Sequence, residues 1–179
     1  MLYTIGHSTH PVEEFIGLLE MHQVGELVDV RTVPRSRTNP QYNLDVFPAA
    51  LSKHQIGHRH CKALGGLRHV KKDSINTAWR NRSFQGYADY MQTEEFSDAI
   101  DLLEEFAKQQ STVIMCAEAV WWRCHRSMIA EAMIVRGHEV QHIMPDGRLN
   151  EATLREFAVV DGDRITYPAP DGEPEENPA

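Results

Sequence analysis

The chain has 179 residues, 41% of them hydrophobic and 25% charged, which suits one domain with a single substantial core and is too apolar for a disordered chain. No apolar run approaches the roughly 20 residues of a membrane helix, and the opening MLYTIGHSTH lacks the cationic and apolar regions of a secretion signal; no membrane partner and a cytosolic location are expected. The net charge of −8 is unevenly divided, because residues 31 to 82 hold 11 of the 18 Lys and Arg against Asp45 and Asp73, a local balance of +9 that leaves −17 on the remainder.

In chain order, LYTIGHS (2 to 8) is an apolar run ending in Gly and Ser, which predicts a strand. VEEFIGLLEMHQ (12 to 23) follows with Phe15, Leu18, Leu19 and His22 at helical spacing. GELVDVRTV (25 to 33) predicts a second, buried strand, and PRSRTNPQY (34 to 42), with two prolines, a long basic loop leaving its end. VFPAALSKHQ (46 to 55) predicts a short helix, residues 57 to 60 a weak strand, and LRHVKKDSINTAWRNRS a surface excursion. Residues 84 to 109 carry one or two helices, TVIMC (112 to 116) a buried strand, and HRSMIAEAMIVRG (125 to 137) a helix stopped by Gly137. EVQHIM (139 to 144) predicts a strand and NEATLREFA (150 to 158) a last helix capped by Asn150.

Strands alternating with helices predict an α/β fold: a mostly parallel sheet with helices on both faces, in a single domain over residues 1 to 160. Residues 161 to 179, with six acids and four prolines, are expected to be a loosely ordered tail.

In open α/β sheets ligands bind beyond the carboxyl ends of the strands. Three such ends carry polar residues: Gly6, His7 and Ser8; Asp29, Arg31 and the arginine loop; and Cys116 to Arg126. If these strands are neighbours, the three groups share one crevice. A thiol beside an arginine and a helix N-terminus can fall from about 8.5 into the range of roughly 3.5 to 7.5, which makes Cys116 or Cys124 a candidate nucleophile. A buried small hydrophobe at a strand end is the plainer role for Cys116. Three cysteines, an odd number, point to reduced thiols and not to a disulfide framework.

Cys116, Cys124, His125 and His7 could also supply soft ligands to iron, zinc or haem, but these four residues stand in neither CxxC nor HxxxH spacing, and adjacent Cys124 and His125 do not easily point at one ion. Arg31, Arg35 and Arg37, with Ser36, offer forked donors to phosphate or carboxylate oxygens; equally, Arg31 can pair with Asp29 or Glu118 and order the loop. His7 and His125 titrate near neutrality when unperturbed.

The blocks TIGHSTHPVEEFIGLL, LVDVRTVPRSRTNPQYN, ALGGLR, WRNRSFQGYADYMQTEEF, MCAEAVWWRCHRSMIAEAM and GHEVQHIMPDGR, from about Leu2 to Leu149, together resemble the DUF488 family of small bacterial and archaeal proteins. The resemblance implies an α/β fold and no settled activity or cofactor. The matching positions are Gly6, His7, Ser8, Asp29, Arg31, Pro34, Arg35, Ser36, Gly65, Gly66, Cys116, Glu118, Cys124, His125 and Arg126, whereas Val120, Trp121 and Trp122 fill a segment where the family is usually more polar.

The sequence therefore sets the expectation of an enzyme or ligand-binding protein for a small anionic, phosphate-bearing or nucleotide-like ligand. Ser8, Asp29, Arg31, Arg35, Ser36, His125 and Arg126 would bind it, and Cys116, Glu118, Cys124 and His7 would carry the chemistry. A metal or haem site, or a nucleic-acid surface over residues 31 to 82, are the alternatives.

Overall fold

The computed structural model describes residues 1–170. Its chain order is β1 (Leu2–Gly6), α1 (Val12–Met21), β2 (Glu26–Asp29), α2 (Phe47–Ser52), β3 (Gly57–His60), α3 (Arg82–Met91), α4 (Glu94–Gln109), β4 (Thr112–Cys116), α5 (Arg126–Val135), β5 (Val140–Ile143), β6 (Leu149–Glu151), β7 (Val159–Asp161) and β8 (Arg164–Thr166). β1 to β6 form one sheet in the order β3-β2-β4-β1-β5-β6, parallel except for β6, and β7 and β8 form a separate hairpin. The expected α/β fold is therefore the observed one.

The two-residue period of a strand divides the side chains between two cores. Tyr3, Ile5, Leu27, Val113 and Met115 pack with Phe15, Leu19, Tyr42 and Phe47 on the α1 and α2 side. Leu2, Val28, Ile114 and Cys116 pack with α3, α4 and α5 on the other. Both cores are continuous apolar layers against a buried parallel sheet, as helices on both faces require.

The strand order decides where the polar strand ends go. β4 lies between β2 and β1, so the three ends carrying His7, Arg31 and Cys116 are adjacent. Backbone pairing runs past the strands: His7 N–H donates to Cys116 O at 2.9 Å, Ser8 N–H to Ala117 O at 3.0 Å and Val30 N–H to Met115 O at 2.9 Å. Gly6 is required in this seam, since a Cβ there would lie 1.7 Å from the Glu118 carbonyl oxygen.

Two expectations are corrected. Residues 150 to 158 form no helix: β6 instead pairs antiparallel with β5, matching Ile143 to Leu149. The turn between them is MPDGR, with Gly147 at φ 88°, and a Pro-Asp-Gly sequence is itself a turn signal. The loose tail does not begin at Asp161, because β7 and β8 continue the chain to Thr166, and Ile165 and Tyr167 are buried. Tyr167 donates its hydroxyl to Glu131 at 2.5 Å, and its N–H to the buried Asn76 side chain at 2.9 Å. Residues 171–179 of the expected tail lie outside the described residues.

The basic excursion is also fastened. The buried Asp89 carboxylate accepts from Lys71 N–H at 2.9 Å, Ser74 Oγ at 2.6 Å and Asn76 Nδ2 at 2.7 Å. Three such bonds offset the cost of burying a carboxylate and hold the loop on α3.

Candidate functional site

A cleft of about 500 Å³ opens at the carboxyl edge of β1, β2 and β4. Eight of the sequence-selected residues line it: His7, Arg31, Arg35, Ser36, Cys116, Glu118, Cys124 and His125. Ser8 lines a second cavity of about 330 Å³ that shares His7, Ser36 and Glu118 with the first. Asp29 and Arg126 line neither. The strand ends thus converge, but from opposite faces of the sheet, and this separates two clusters with different chemistry.

On the α1 and α2 face, Arg31 is spent on internal partners. Its Nε donates to Asp29 Oδ1 at 3.0 Å, and its Nη2 to Asp29 Oδ2 at 2.7 Å and to Tyr42 O at 2.6 Å. Asp29 is fully buried and neutralises this guanidinium. The pair therefore orders the loop, and the expectation that Asp29 itself touches a ligand is corrected by its burial. His7 stacks on Tyr42 with ring centroids 4.2 Å apart. Its Nδ1 lies 2.8 Å from the Ser8 carbonyl, which can only accept, so Nδ1 carries the proton and Nε2 faces Arg31 Nη1 at 3.4 Å as acceptor. Burial, with the Arg31 charge, brings the His7 pKa down to about 4. His7 is accordingly a neutral prop for Arg31. Ser8 holds a left-handed backbone, φ 47°, at the end of β1, a conformation uncommon for a residue with a side chain.

On the α5 face lies the unusual feature. The side chain of Arg126 is buried, with the residue 1% exposed, and an arginine cannot shed its charge by deprotonation. No carboxylate lies within ion-pair distance of it among the described residues. Its Nη1 donates to Cys116 Sγ at 2.7 Å and to Glu118 O at 2.7 Å, its Nε to Thr4 Oγ1 at 3.3 Å and its Nη2 to Ala119 O at 3.4 Å. The Thr4 hydroxyl also shares a hydrogen bond of 2.6 Å with His142 Nδ1, and His142, stacked on Trp121 at 4.7 Å, is driven down to about 3 by burial and by the Arg126 charge. The other partners of the Arg126 guanidinium are a hydroxyl and main-chain carbonyls, which carry no charge. A buried cation without a counter-ion is strongly unfavourable, and the two thiols are the acidic groups in reach.

Cys116 and Cys124 are free thiols, 3% and 6% exposed, whose sulfurs lie 2.6 Å apart. Period-two alternation on β4 sends Cys116 to the α5 face, and Cys124 sits just before the first turn of α5, where its sulfur also meets the Arg126 N–H at 3.5 Å. The two behave as one acid that gives up a single proton readily. Burial pushes the Cys124 thiol up, but the Cys116 thiol and the Arg126 charge outweigh it and bring it to about 7. Burial and the neighbouring Cys124 push Cys116 well up, so the second proton is retained.

His125 completes this cluster. Its Nε2 lies 2.9 Å from the Val30 carbonyl, which fixes the proton there, and its Nδ1 faces Cys124 Sγ at 3.6 Å as an acceptor. Burial lowers its pKa and keeps it neutral. Gly66 makes room for the ring: a Cβ there would stand 2.6 Å from Nδ1.

Three sequence expectations change in detail. Arg126 faces sulfur from behind and not the cleft. Glu118 acts in the cluster through its main-chain oxygen, while its residue is exposed at the rim. A metal-binding arrangement finds no group of three or more His, Cys, Asp or Glu side chains placed to share an ion among the described residues. The cleft also has lining residues outside the sequence-selected set: Arg123, and an apolar rim of Val33, Leu67 and Phe84. Val33 is 60% and Leu67 75% exposed, and exposed aliphatic side chains beside a strand end are the signal that could have marked them.

The fold and this edge define a parallel α/β protein with a paired-thiol cleft at the carboxyl ends of its strands. A family model, the domain of unknown function DUF488, matches residues 11–133, and the chain belongs to that family. Searches of curated proteins and of solved structures found no match.

Proposed function

We propose that the cleft takes a small anionic, phosphate-bearing or nucleotide-like ligand and presents to it the thiolate of Cys124, making the protein a thiol-dependent enzyme. The observation that carries this reading is the buried Arg126 guanidinium, which has no carboxylate partner among the described residues and lies 2.7 Å from Cys116 Sγ, itself 2.6 Å from Cys124 Sγ. A thiolate is the nucleophilic form of cysteine, and a base within reach plus a helix N-terminus are the usual means of obtaining it.

The ligand's charge is matched at the mouth. Arg35 and Arg123 are exposed, line the cleft, and have no ion-pair partner among the described residues. Val33, Leu67 and Phe84 suit the less polar part of such a molecule, a base or an acyl chain, and the hydroxyls of Ser8, Thr9, Ser36 and Thr38 in the adjoining cavity suit a sugar or a second polar group.

The test is titration calorimetry with inorganic phosphate, pyrophosphate and AMP against the native chain and Arg35→Ala/Arg123→Ala. Charge-assisted hydrogen bonds of about 1.5 to 3 kcal/mol each predict a loss of at least about tenfold in affinity per arginine. Unchanged affinity in the double variant rejects the assignment. Binding to single-stranded nucleic acid that weakens steeply with salt would instead support a surface role for the basic segment.

A further inference from the structure

The proposed function uses one sulfur, yet the structure holds two. In that reading Cys116 makes no attack on the ligand, yet it places its sulfur 2.6 Å from Cys124 Sγ, and both residues line the same cleft. We infer that Cys116 and Cys124 form a dithiol couple that reduces hydroperoxides, with Cys124 attacking and Cys116 resolving. This rests on the thiolate of the proposed function and is independent of the anionic ligand.

The chemistry balances with one oxidant and one reductant. The Cys124 thiolate attacks the terminal oxygen of a hydroperoxide, the O–O bond breaks, and the sulfur is oxidised to a sulfenic acid while the peroxide is reduced to an alkoxide. The alkoxide takes up from solvent the proton that the thiol released there on ionising, and leaves as the alcohol. The Cys116 thiol then attacks the sulfenic sulfur; a disulfide forms and the hydroxyl departs with the Cys116 proton as water. An external dithiol restores both thiols by exchange and is itself oxidised to a disulfide.

Three features favour this use over a passive pair. The Arg126 guanidinium, 2.7 Å from Cys116 Sγ, stabilises negative charge on the dithiol before attack. Cys116 and Cys124 both line the cleft, which gives oxidant and reductant a single opening of approach. The remaining cysteine, Cys61, lies outside the cleft and provides an internal control, its thiol pushed up by burial.

The experiment treats the reduced full chain, freed of reductant and without any anionic ligand, with one equivalent of hydrogen peroxide, and reads intact mass, thiol count after denaturation, and the cross-linked peptide. The expected result is loss of two thiols, a mass decrease of about two hydrogens, and a Cys116–Cys124 peptide that a dithiol cleaves. In Cys116→Ser the reaction should stop at a sulfenic acid on Cys124, trapped by dimedone. Accumulation of sulfenic or sulfinic acid in the unmodified chain without the disulfide, a disulfide through Cys61, or oxidation no faster than that of free cysteine each overturns the inference. The measurement on the unmodified chain decides the matter even if a cysteine variant fails to fold.

Discussion

Replacing Arg126 by methionine tests the charge argument most directly. The substitution keeps an unbranched apolar stem in the α5 core but removes donors from Cys116 Sγ, Thr4 Oγ1 and the Glu118 and Ala119 carbonyls. Breaking a buried charge pair costs about 3 to 5 kcal/mol. Chemically the effect is sharper. With the Cys124 thiol at about 7, roughly half is ionised at pH 7, whereas a thiol at the ordinary value of about 8.5 is only about 3% ionised. Arg126→Met should therefore slow alkylation of Cys124 by iodoacetamide at pH 7 by at least about fifteenfold, with the inflection of the rate against pH moving up accordingly. The stability linkage has a definite sign. A folded-state value below the unfolded one contributes stability that is present above the unfolded value and lost as pH falls through about 7. Urea unfolding of the native chain should thus show a rise between pH 7 and 9 that the variant lacks. Alkylation with the native inflection in Arg126→Met would refute the claim that sulfur balances this cation.

The remaining predictions address the two histidine environments. Gly66→Ala places a Cβ 2.6 Å from His125 Nδ1, so the ring must move off Cys124; alkylation at pH 7 should slow several-fold while urea unfolding shifts by no more than about 1 to 3 kcal/mol. Native reactivity in that variant would remove His125 from the thiol's surroundings. His7 and His142 are both held neutral by burial, at about 4 and about 3, so the stability they contribute is complete above their unfolded value near 6.5 and is lost as pH falls through about 4 and then about 3. The thermal midpoint should fall steeply below pH 6, and a flat profile down to pH 4 would contradict their placement.

Much of the architecture was legible because it rests on local patterns. TVIMC and ELVD are continuous apolar or buried runs, and Asn81 and Thr93 accept from the N–H groups of Phe84 and Phe96 at the starts of α3 and α4. The misread helix at 150 to 158 shows where local pattern gives way. Its composition suits a helix, but the Pro-Asp-Gly turn before it returns the chain onto β5, and ladder bonds to β5 outweigh a weak propensity. The docking of Tyr167 on Glu131 and Asn76 involves residues 36 and 91 positions apart, a pairing that no local window contains. For the same reason the site residues could be selected but not assigned. That Arg31 turns to Asp29 and Arg126 to sulfur depends on which face of the sheet each one leaves, and the alternation that sets this is read from strand register.

That division by face explains how one edge can hold two buried guanidinium groups. Arg31 and Asp29 sum to zero on the α1 and α2 side, so this pair fixes the loop without drawing an anion. On the α5 side no carboxylate balances Arg126 among the described residues and the acidic groups beside it are the two sulfurs, so the thiolate charge proposed there is lost whenever the sulfurs are protonated, alkylated or oxidised. Each of those events leaves the Arg126 charge uncompensated beneath the loop from Ala117 to Arg123, whose Glu118 and Ala119 carbonyls are its other partners. Arg126 thus links the thiols to the Glu118 and Ala119 carbonyls of the rim, whereas the anion capture proposed for Arg35 and Arg123 at the mouth would draw on exposed groups that take no part in this link. The proposed reactivity and the proposed recognition of ligand charge therefore rest on different arginines, and substitution at one should leave the other intact.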